Sequence, residues 1–483
     1  PPPPPTLTTP LNKLHIKPPR FCQFVACGAE YFFEDLNKKK VFIKKTTDQL
    51  FDEEEMQFLA DRFVVGTCPK CGHDEAFGDQ CENCGSTLNA TDLINPRSIL
   101  SGKKPVLKST NHWFLPLNNY DSFLKKWFIN EKKDKWKSNV YGQVKSWIDE
   151  GLKPRAITRD LDWGIPVPHK DANGKVLYVW FDAPIGYISS TIEWAKKEKK
   201  DWKPYWQDPD TELVHFIGKD NIVFHCIIFP CILHASKNYI LPKNVPANEF
   251  LNLEGRKIST SKNWAIWLND YMKDFPDMQD SLRYVLTTNA PENKDNDFTW
   301  KDFQAKNNNE LVAILGNFIN RVAVLAQKYF DGKTPEVSSF ESKDQSILNQ
   351  VYSYPKKIGE SIESFKFREA INTMIELARI GNKYLADSEP WKLIKTPEKE
   401  KVNSIINISI QICCILAIVS EPFLPSSSKK LKIQFNVPNI NWNDFSVERP
   451  LIPKKIDKSD LIFRKIEDDE IDFQLKKLHD SEQ

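Results

Sequence analysis

The sequence lacks an uninterrupted apolar run long enough to cross a membrane. Its best candidate, residues 405–419, is shorter than the roughly 20 residues that a spanning helix needs. Three polar residues, Asn407, Ser409 and Gln411, interrupt that stretch, so we expect a buried helix there. The N-terminus also lacks the charged and then apolar pattern of a secretion signal. These absences argue against a membrane protein and against a secreted one.

An excess of charge of either sign is also absent. Lys and Arg together number 67 and Asp and Glu together 65, which gives a net charge of +2. An RNA partner is therefore neither required nor excluded, and any RNA-binding surface must be a local patch. With 483 residues, 40% hydrophobic and 27% charged, the chain has an ordinary soluble composition and room for about three domains.

Ten cysteines are present, and four of them form two C-x2-C pairs separated by nine residues: Cys68, Cys71, Cys81 and Cys84. Gly72 and Gly85 follow the two pairs and let the backbone turn so that its amides face the sulfurs. Four thiolates at this spacing are typical of a closed, tetrahedral Zn²⁺ site with a structural role. The alternatives are reduced thiols or a disulfide-paired set. A nucleic-acid-binding ribbon carries the same cysteine array, so the array predicts a metal but not a function.

The other six cysteines are scattered, and two of them, Cys413 and Cys414, are adjacent. Scattered cysteines in a large chain indicate reduced thiols rather than a disulfide framework. We therefore expect a cytoplasmic protein.

Two segments in the middle of the chain share one pattern. An apolar, β-rich run at 177–181 is followed by a turn and by a helical stretch from Tyr187. A second run at 213–217 ends at Gly218, and a helix is predicted from 221 to about 233. The repeated order of strand, tight turn and helix predicts an α/β fold with a doubly wound parallel sheet of the Rossmann type. Because ligands bind at the carboxyl ends of such strands, both turns are candidate walls of a site.

From about residue 301 the pattern predicts helices only. One apolar stripe consists of residues three and four apart: Leu311, Ile314, Leu315, Phe318, Ile319, Val322 and Leu325. Similar stripes run through 347–365, with a break expected at Pro355, and through 368–385 and 402–418. Together they predict an all-α helical bundle.

Three segments carry a specific resemblance when they are taken in order. They are Tyr178-Val-Trp-Phe-Asp-Ala-Pro-Ile-Gly-Tyr187, His215-Phe-Ile-Gly-Lys-Asp220 running on to His225, and Gly255-Arg-Lys-Ile-Ser-Thr-Ser-Lys262. With four paired cysteines upstream and a bundle downstream, this order resembles the methionyl-tRNA synthetases, which are class I aminoacyl-tRNA synthetases. The resemblance covers about residues 29–465 and implies a ligase that joins L-methionine to methionine tRNA with ATP. It also implies Mg²⁺ with the ATP and no membrane or DNA partner.

The resemblance places a methionine-binding pocket on six residues: Trp180, Ala183, Pro184, Tyr187, Asn221 and His225. Aromatic and apolar walls suit a flexible thioether, whose sulfur packs well near ring edges. Asn221 and His225 lie four residues apart, on one face of the predicted helix. Periodicity alone favours core aromatics for Trp180 and Tyr187 and a satisfied core histidine for His225, whereas the motif context favours the pocket.

The resemblance also implies ATP contacts at Arg159, Gly218, Lys219 and Asp220. A glycine permits close approach of the backbone, and a carboxylate can hold ribose hydroxyls. The alternative for Asp220 is a plain helix N-cap. Arginines are common on surfaces, which is the alternative for Arg159.

Residues 257–261 stand where the family carries Lys-Met-Ser-Lys-Ser, a loop whose lysines act as mobile cations while pyrophosphate leaves. Here the sequence is Lys257-Ile-Ser-Thr-Ser261, so Thr260 replaces the second lysine, and we expect Lys262 to supply the missing charge. The resemblance thus implies catalytic roles for Lys257, Thr260 and Lys262 and ATP contacts at Ser259 and Ser261. The alternative is an exposed polar loop.

In the predicted bundle, Asn320, Arg321 and Lys328 match approximately a family helix that reads the anticodon. Pro390 and Trp391 match better, because an exposed tryptophan beside a proline can stack on an unpaired base. The alternative is a tryptophan packed between helices.

Class I synthetases carry a His-Ile-Gly-His type motif after the first strand, and no such motif is found in this sequence. His15 and Ile16 are followed by Lys17 and Pro18, which do not fit it. We therefore expect an N-terminally incomplete catalytic domain with an incomplete sheet, and poor methionine activation by this chain.

The expected organisation has six parts. Residues 1–28, which begin with five prolines, are expected to be disordered or foreign. The other parts are 29–150, a remnant of the catalytic domain plus a connective domain with an inserted zinc knuckle at 61–96; 151–250, the second half of the catalytic domain; 251–303, the lysine loop and stem-contact region; 304–425, the anticodon-binding bundle; and 426–483, a tail with a short helix near 461–478.

Three other functions stay open on the sequence alone. A non-catalytic tRNA-binding remnant would keep the bundle and Trp391 without forming adenylate. A class I synthetase for another apolar amino acid is disfavoured by the wall of Trp180, Tyr187 and His225. A zinc-ribbon transcription component is disfavoured by the two strand-turn-helix units.

Overall fold

The computed structural model describes residues 20–78, 81, 84, 88–161, 163–260, 262–438, 440, 442–457 and 461–481, with the backbone alone for 20–27 and 443. The chain divides into two compact units, and the division falls between Ala247 and Asn248.

The strands of the described residues are β1 (Ile43–Asp52), β2 (Gln57–Phe58), β3 (Val64–Thr67), β4 (Ala76–Phe77), β5 (Ile94–Ser98), β6 (Val106–Leu115), β7 (Arg155–Ala156), β8 (Thr158–Arg159), β9 (Val176–Leu177), β10 (Ile217–Gly218), β11 (Ala247–Asn248), β12 (Leu251–Leu253), β13 (Arg256–Lys257) and β14 (Asn296–Phe298). The helices are α1 (Arg20–Lys38), α2 (Asp121–Leu124), α3 (Asn130–Lys132), α4 (Ser138–Glu150), α5 (Val179–Glu198), α6 (Lys203–Gln207), α7 (Phe229–Ser236), α8 (Leu268–Asp274), α9 (Gln279–Thr288), α10 (Trp300–Lys306), α11 (Asn317–Phe330), α12 (Ser342–Tyr352), α13 (Tyr354–Glu363), α14 (Phe367–Ser388), α15 (Pro390–Leu393), α16 (Lys401–Val419), α17 (Pro425–Gln434) and α18 (Asp468–Asp480).

The largest sheet of the first unit has the order β2-β1-β6-β7 and is antiparallel. Strand β6 buries Trp113 and Leu115, two residues apart, so that they face one core. The parallel pairs of the described residues are short: Val214 bridges Asn244 beside the pair β10–β11, and in the second unit β12 pairs with β14.

The prediction of a strand at 177–181 is wrong. Strand β9 ends at Leu177 and pairs antiparallel with β8, and helix α5 already begins at Val179. A short apolar run does not by itself distinguish a strand from a buried helical turn, which explains the error. The second predicted run is extended, because the His215 N–H donates to the Asn244 carbonyl at 3.1 Å. The helix predicted after it is confirmed and ends at Ser236.

Helix α1 corrects the expectation for the N-terminal segment. The prediction of disorder to residue 28 is wrong for 20–28, which are helical, and residues 1–19 lie outside the described residues. Pro18 and Pro19 precede the helix, and no proline follows until the helix has ended, so the backbone can be helical from Arg20 onward.

The second unit contains the predicted helical bundle. Helices α11, α14 and α16 coincide with three of the predicted stripes, and the stripe at 347–365 is broken into α12 and α13 just before Pro355. Helix α17 was not predicted. Leu431 of α17 and Leu478 of α18 belong to the same hydrophobic core as the bundle, so the predicted parts 251–303, 304–425 and 426–483 share one core.

Two helices of the described residues are long and apolar enough to cross a membrane by length and composition alone, Trp300–Phe330 and α16. In α16, 89% of the most apolar 18-residue window is buried inside the protein. The polar side chains within it are paired, since Gln411 donates to Asn407 and accepts from Tyr352. The prediction of a buried core helix at 405–419 is therefore confirmed.

Candidate functional site

One side of helix α5 carries four residues predicted for the methionine pocket. Trp180, Ala183, Pro184 and Tyr187 are three and four residues apart, so they lie along one face of the helix. The Trp180 ring stacks on Phe224, with the centroids 3.7 Å apart and the planes 7° from parallel. The Tyr187 side chain is 43% exposed. The face thus combines a fixed ring stack with an accessible phenol.

A hydrogen bond joins the two predicted turns. Tyr187 Oη lies 2.9 Å from His225 Nε2, and His225 Nδ1 lies 3.0 Å from the carbonyl oxygen of Asn221. Because a carbonyl oxygen only accepts, Nδ1 carries the proton of the neutral ring, Nε2 accepts, and Tyr187 donates. Burial lowers the pKa of His225 and so favours this neutral form. The two candidate walls of the site are thus in direct contact through these side chains.

His215 packs behind this pair. Its ring lies 5.5 Å from that of Tyr187, 5.3 Å from that of His225 and 5.9 Å from that of Phe229. The residue is 7% exposed, and its Nε2 makes no hydrogen bond to the described residues. Burial, helped by the neighbouring His225, lowers the pKa of His215 to about 4. Both imidazoles are therefore neutral at pH 7, and the wall carries no net charge there.

The turn after β10 brings Asp220 back toward Gly218. A Cβ at Gly218 would lie 2.7 Å from Asp220 Oδ1, so the carboxylate approaches the backbone closely at this position. Residues Lys219–Asn221 form one 3-10 turn, and no side chain caps it. The alternative of Asp220 as a helix N-cap is therefore wrong, because Asp220 lies inside the turn. Its side chain is exposed to solvent.

Arg159 lies at the start of α5 and not on the open surface. Its guanidinium stacks on the ring of Tyr178 at 3.8 Å and pairs with Asp61 at 3.8 Å. The Tyr178 hydroxyl donates to the same Asp61 carboxylate at 3.3 Å. Tyr178 directly precedes α5, so Arg159 is held next to the helix that carries Trp180. This contradicts the alternative of an ordinary surface arginine.

The segment 255–264 begins with a hairpin. Strands β12 and β13 pair antiparallel, and the two turn residues, Glu254 and Gly255, have φ of +48° and +74°. Positive φ at both positions is what a type I′ turn requires. The Gly255 N–H donates to both carboxylate oxygens of Asp297, at 3.0 and 2.9 Å, which fixes the turn to β14.

The predicted catalytic residues lie at the end of this hairpin and beyond it. Ser259 and Trp264 exchange two backbone hydrogen bonds of 2.9 Å, so the residues between them form a closed loop. Thr260 and Lys262 are exposed on this loop, and Lys257 is exposed on β13 just before it. Ser261 lies outside the described residues. The loop belongs to the second unit, so both lysines are presented on that unit.

The four paired cysteines meet in the first unit. Their sulfurs all lie within 4.8 Å of one another, with Cys68 Sγ 3.9 Å from Cys84 Sγ and Cys71 Sγ 3.6 Å from Cys81 Sγ. Four sulfurs about 2.3 Å from one tetrahedral ion are about 3.8 Å apart, so this cluster has the size of a Cys₄ metal site.

The backbone around the first pair is also arranged for a metal. The Lys70 N–H points at Cys68 Sγ at 3.4 Å, and Gly72 has a φ of +74°, which favours glycine. Cys68 and Cys81 are buried, whereas Cys71 and Cys84 are exposed.

Two of the predicted anticodon residues are in contact. The Arg321 guanidinium lies 5.2 Å from the ring centroid of Trp391, and Trp391 is half-buried at the start of α15. Lys328 lies two turns further along α11, on the same face as Arg321 and exposed. Pro390 is buried, and Asn320 directly precedes Arg321. The Trp391 ring is therefore partly covered by a cation and partly exposed.

Sequence reasoning missed two neighbours of the aromatic wall. Phe229 lies four residues after His225, and that helical spacing could have identified it. Phe224 offered no such signal, because its role depends on a stack with a distant tryptophan. Asp182 lies on another face of α5, and burial raises the pKa of its carboxyl to about 7 against the opposing effect of its own and Ala183 N–H groups.

Two family sequence profiles match this chain. The profile described as tRNA synthetases class I (M) matches residues 27–323. The profile described as the anticodon binding domain of methionyl tRNA ligase matches residues 334–482. Between them they cover both compact units.

Curated relatives are similar over most of the chain. The methionine–tRNA ligase of Christiangramia forsetii is 61% identical over 458 residues, which are 93% of this chain and 66% of that protein. The methionine–tRNA ligase of Flavobacterium psychrophilum is 59% identical over 453 residues, with the same two coverages. The chain therefore spans about two thirds of the length of the curated relatives it matches.

Solved structures show the same fold. A structure of Mycobacterium tuberculosis methionyl-tRNA synthetase bound by methionyl-adenylate matches with a TM-score of 0.72 at 18% identity, over 91% of this chain and 81% of that one. The apo form of that enzyme matches with a TM-score of 0.70, over 92% and 81%. The fold is thus the Rossmann-like class I synthetase fold with a helical C-terminal region. Together with the profile that covers residues 27–323 and the high identity to curated relatives, this means that the chain belongs to the methionine–tRNA ligase family of class I tRNA synthetases.

Proposed function

We propose that this chain performs the chemistry of a methionine–tRNA ligase, with the poor methionine activation expected of a sequence in which no His-Ile-Gly-His type motif is found. The carboxylate of L-methionine attacks the α-phosphate of ATP, which gives methionyl-adenylate and pyrophosphate. The acyl group then passes to a hydroxyl of the terminal ribose of methionine tRNA, and AMP leaves. The observation that carries the proposal is the Tyr187–His225 hydrogen bond, because it joins the two motif segments into one apolar wall.

The methionine side chain is held by the face of α5. Trp180 and Tyr187 supply ring edges, Ala183 and Pro184 supply an apolar floor between them, and a thioether packs well against both. Asn221 and His225 close the other side. Since His225 is neutral and its two nitrogens are engaged, it contributes shape and a hydrogen-bonded edge but no charge that would reject a thioether.

The nucleotide is held by Gly218, Lys219, Asp220 and Arg159, with Mg²⁺ accompanying the triphosphate. The exposed Asp220 carboxylate can accept from the two ribose hydroxyls, and Gly218 leaves room for them. Positioning and charge neutralisation supply most of the rate, so no residue needs to act as a strong general base.

The loop lysines neutralise the charge that develops as pyrophosphate leaves. Lys257 and Lys262 are exposed and lie on either side of Thr260, so Lys262 stands in for the lysine that Thr260 replaces. Ser259 and Ser261 add hydroxyl donors to the oxygens of the leaving pyrophosphate. Preorganised cations at the point where charge develops are a large catalytic contribution.

The anticodon is read by the second unit. Trp391 offers one face for stacking an unpaired base, while Arg321 covers part of the ring and can reach the base or its phosphate. Asn320 and Lys328 add a hydrogen-bonding group and a cation on α11, and Pro390 fixes the start of α15.

Zn²⁺ is the ion that best fits the cysteine cluster. Four thiolates fill all tetrahedral positions, which leaves no position for a reacting water, so the ion stabilises its subdomain and takes no part in the chemistry. The whole protein is cytoplasmic, where its thiols stay reduced.

The short parallel pairs belong to an incomplete sheet of the doubly wound type.

Methionine-dependent exchange of radiolabelled pyrophosphate into ATP tests the proposed activity directly. The informative variant is Tyr187→Phe, which deletes only the hydroxyl that donates to His225. We expect the affinity for methionine to fall by roughly fivefold to tenfold, the range of one net hydrogen bond. The matched control is Tyr205→Phe, an exposed tyrosine on α6 whose ring contact with Trp194 is retained.

Two further measurements separate the alternatives. Thermal shifts with L-methionine, L-leucine and L-isoleucine would expose a synthetase for another amino acid, because only the cognate ligand stabilises the fold by mass action. Binding of methionine tRNA that is weakened by Trp391→Ala, without any pyrophosphate exchange, would instead select a non-catalytic tRNA-binding protein.

A further inference from the structure

The loop at residues 257–262, the lysine loop, is held by the end of helix α18. Asn263, the last residue before Trp264, donates from Nδ2 to the carbonyl oxygen of Ser481 at 2.9 Å. Ser481 Oγ lies 3.1 Å from the carbonyl oxygen of Asn263 and 2.8 Å from that of Leu478, so its single proton is shared between these two acceptors. The ring of His479 lies 5.5 Å from that of Trp264. Two reciprocal hydrogen bonds and a ring contact thus join segments that are 218 residues apart in sequence.

These contacts act at the hinge of the loop. Asn263 has a φ of +53°, in the left-handed region, and the chain reverses there to let Trp264 pair with Ser259. Trp264 is buried, donates to the Leu253 carbonyl at 3.0 Å and has Arg256 over its ring at 3.9 Å. The loop is therefore anchored at Trp264, while its orientation depends on how Asn263 is held.

The helix that holds Asn263 is itself fixed to the core of the second unit. Gln474 and Lys477 of α18 both donate to Asp274 of α8, at 2.9 and 2.8 Å. Ile471 and Leu478 are buried in the hydrophobic core. A change in how α18 is seated is thus transmitted to Asn263 through two hydrogen bonds.

We propose that the end of α18 is a positioning element for the lysine loop, with Ser481 and His479 holding Asn263 and Trp264. The proposal rests on the proposed function, since it assigns the seating of Lys262 to this contact. When the contact is lost, the loop samples more orientations, and Lys262 is no longer preorganised where charge develops. Ser481 and His479 touch neither substrate nor nucleotide in this scheme and are positioning residues.

Two variants remove the contact from opposite sides. Ser481→Ala combined with His479→Ala removes the hydroxyl donor and the ring on α18. Asn263→Asp keeps the left-handed backbone and the oxygen that accepts from Trp267, but removes the Nδ2 donor to Ser481. The matched control is Asp480→Ala, an exposed residue in the same turn of α18.

Amide hydrogen exchange tests the contact without any ligand. Both contact variants should exchange the Ser259 and Trp264 amides roughly tenfold faster, the effect of losing one or two net hydrogen bonds on local opening. Trypsin should also cut after Lys262 faster by a similar factor. The Asp480→Ala control should match the unaltered chain, and the core amides of α16 should be unchanged in all variants. Unchanged exchange of Ser259 and Trp264 in both contact variants would overturn the proposal.

A kinetic comparison distinguishes positioning from folding. If methionine-dependent pyrophosphate exchange is measurable, the contact variants should lower kcat with the KM for methionine unchanged, and Ser481→Thr, which keeps a hydroxyl, should restore most of kcat. A rise in the methionine KM with an unchanged kcat would contradict a role in seating Lys262. If the unaltered chain shows no exchange activity, the proposed function fails, and the amide-exchange result still decides whether α18 holds the loop.

Discussion

Acidification should destabilise the first unit through His215. In water an imidazole has a pKa of about 6.5, whereas burial lowers the pKa of His215 to about 4 in the folded protein. Below about pH 6.5 the unfolded chain therefore binds a proton at His215, whereas the folded chain does not bind this proton until the pH approaches 4. The free energy of unfolding falls as the pH drops through this window, and the loss is complete near pH 4.

The magnitude follows from the size of the shift. Each pKa unit corresponds to 1.36 kcal/mol, so the lowering from 6.5 to about 4 predicts a loss of about 3 kcal/mol, most of it reached by pH 4.5. No discount for solvent screening is needed, because the side chain is only 7% exposed. The rings of Tyr187, His225 and Phe229 surround it, and none of them offers a negative charge to stabilise an imidazolium.

His215→Phe isolates this effect, since it keeps a ring among aromatic neighbours and removes the titrating group. At pH 7.5 the two proteins should differ by less than about 1.5 kcal/mol, as expected for a buried exchange of similar volume. When the pH is lowered from 7.5 to 4.5, the difference in the free energy of unfolding should shift by about 2 to 3 kcal/mol in favour of the variant. Urea unfolding at both pH values, followed by a probe in the first unit, measures it. A stability difference that does not change with pH would show that His215 is solvated or paired in the folded protein and would refute the reasoning.

Three further substitutions test other contacts. Cys71→Ser should lower the zinc content of the purified chain from about one ion per molecule, as atomic emission would show, because three thiolates no longer close the tetrahedron. Asp160→Asn should cost about 3 kcal/mol in thermal unfolding, since it leaves the largely buried Lys175 without its carboxylate partner. Gly381→Ala should cost about 1 to 3 kcal/mol in the same assay, because its Cβ would lie 2.4 Å from Phe318 Cζ.

The helical unit could be predicted well because its signal is local. In α11 and α14 the buried residues recur at helical spacing, and in α16 every residue from Ile405 to Val419 is buried. Both patterns belong to the local sequence and do not depend on what else the chain contacts. Pro355 marked the break between α12 and α13 for an equally local reason. Helix α17 escaped prediction because its sequence, with three serines and three lysines, has little apolar period.

The aromatic wall was identified for a reason that differs from the observed one. A strand ending at Phe181 would have pointed Trp180 and Tyr187 in unrelated directions, and only the motif brought them together. In the structure α5 begins at Val179, and helical spacing alone aligns Trp180, Ala183, Pro184 and Tyr187. Had the run been interpreted as a helix, the face would have been visible without any resemblance.

Helix α18 shows where local signals end and long-range ones begin. Its start was expected near residue 461 but lies at Asp468, and the sequence carries the reason: Glu467 and Glu470 form a capping box, and three acidic residues fill the first turn, where the helix dipole favours them. The other end of the same helix cannot be interpreted in this way. Nothing about His479 or Ser481 distinguishes them from an exposed polar terminus until Asn263 is known to reverse the chain beside them. The orientation of the lysine loop therefore depends on a contact between two segments that are distant in sequence, and the local sequence of neither segment predicts that contact.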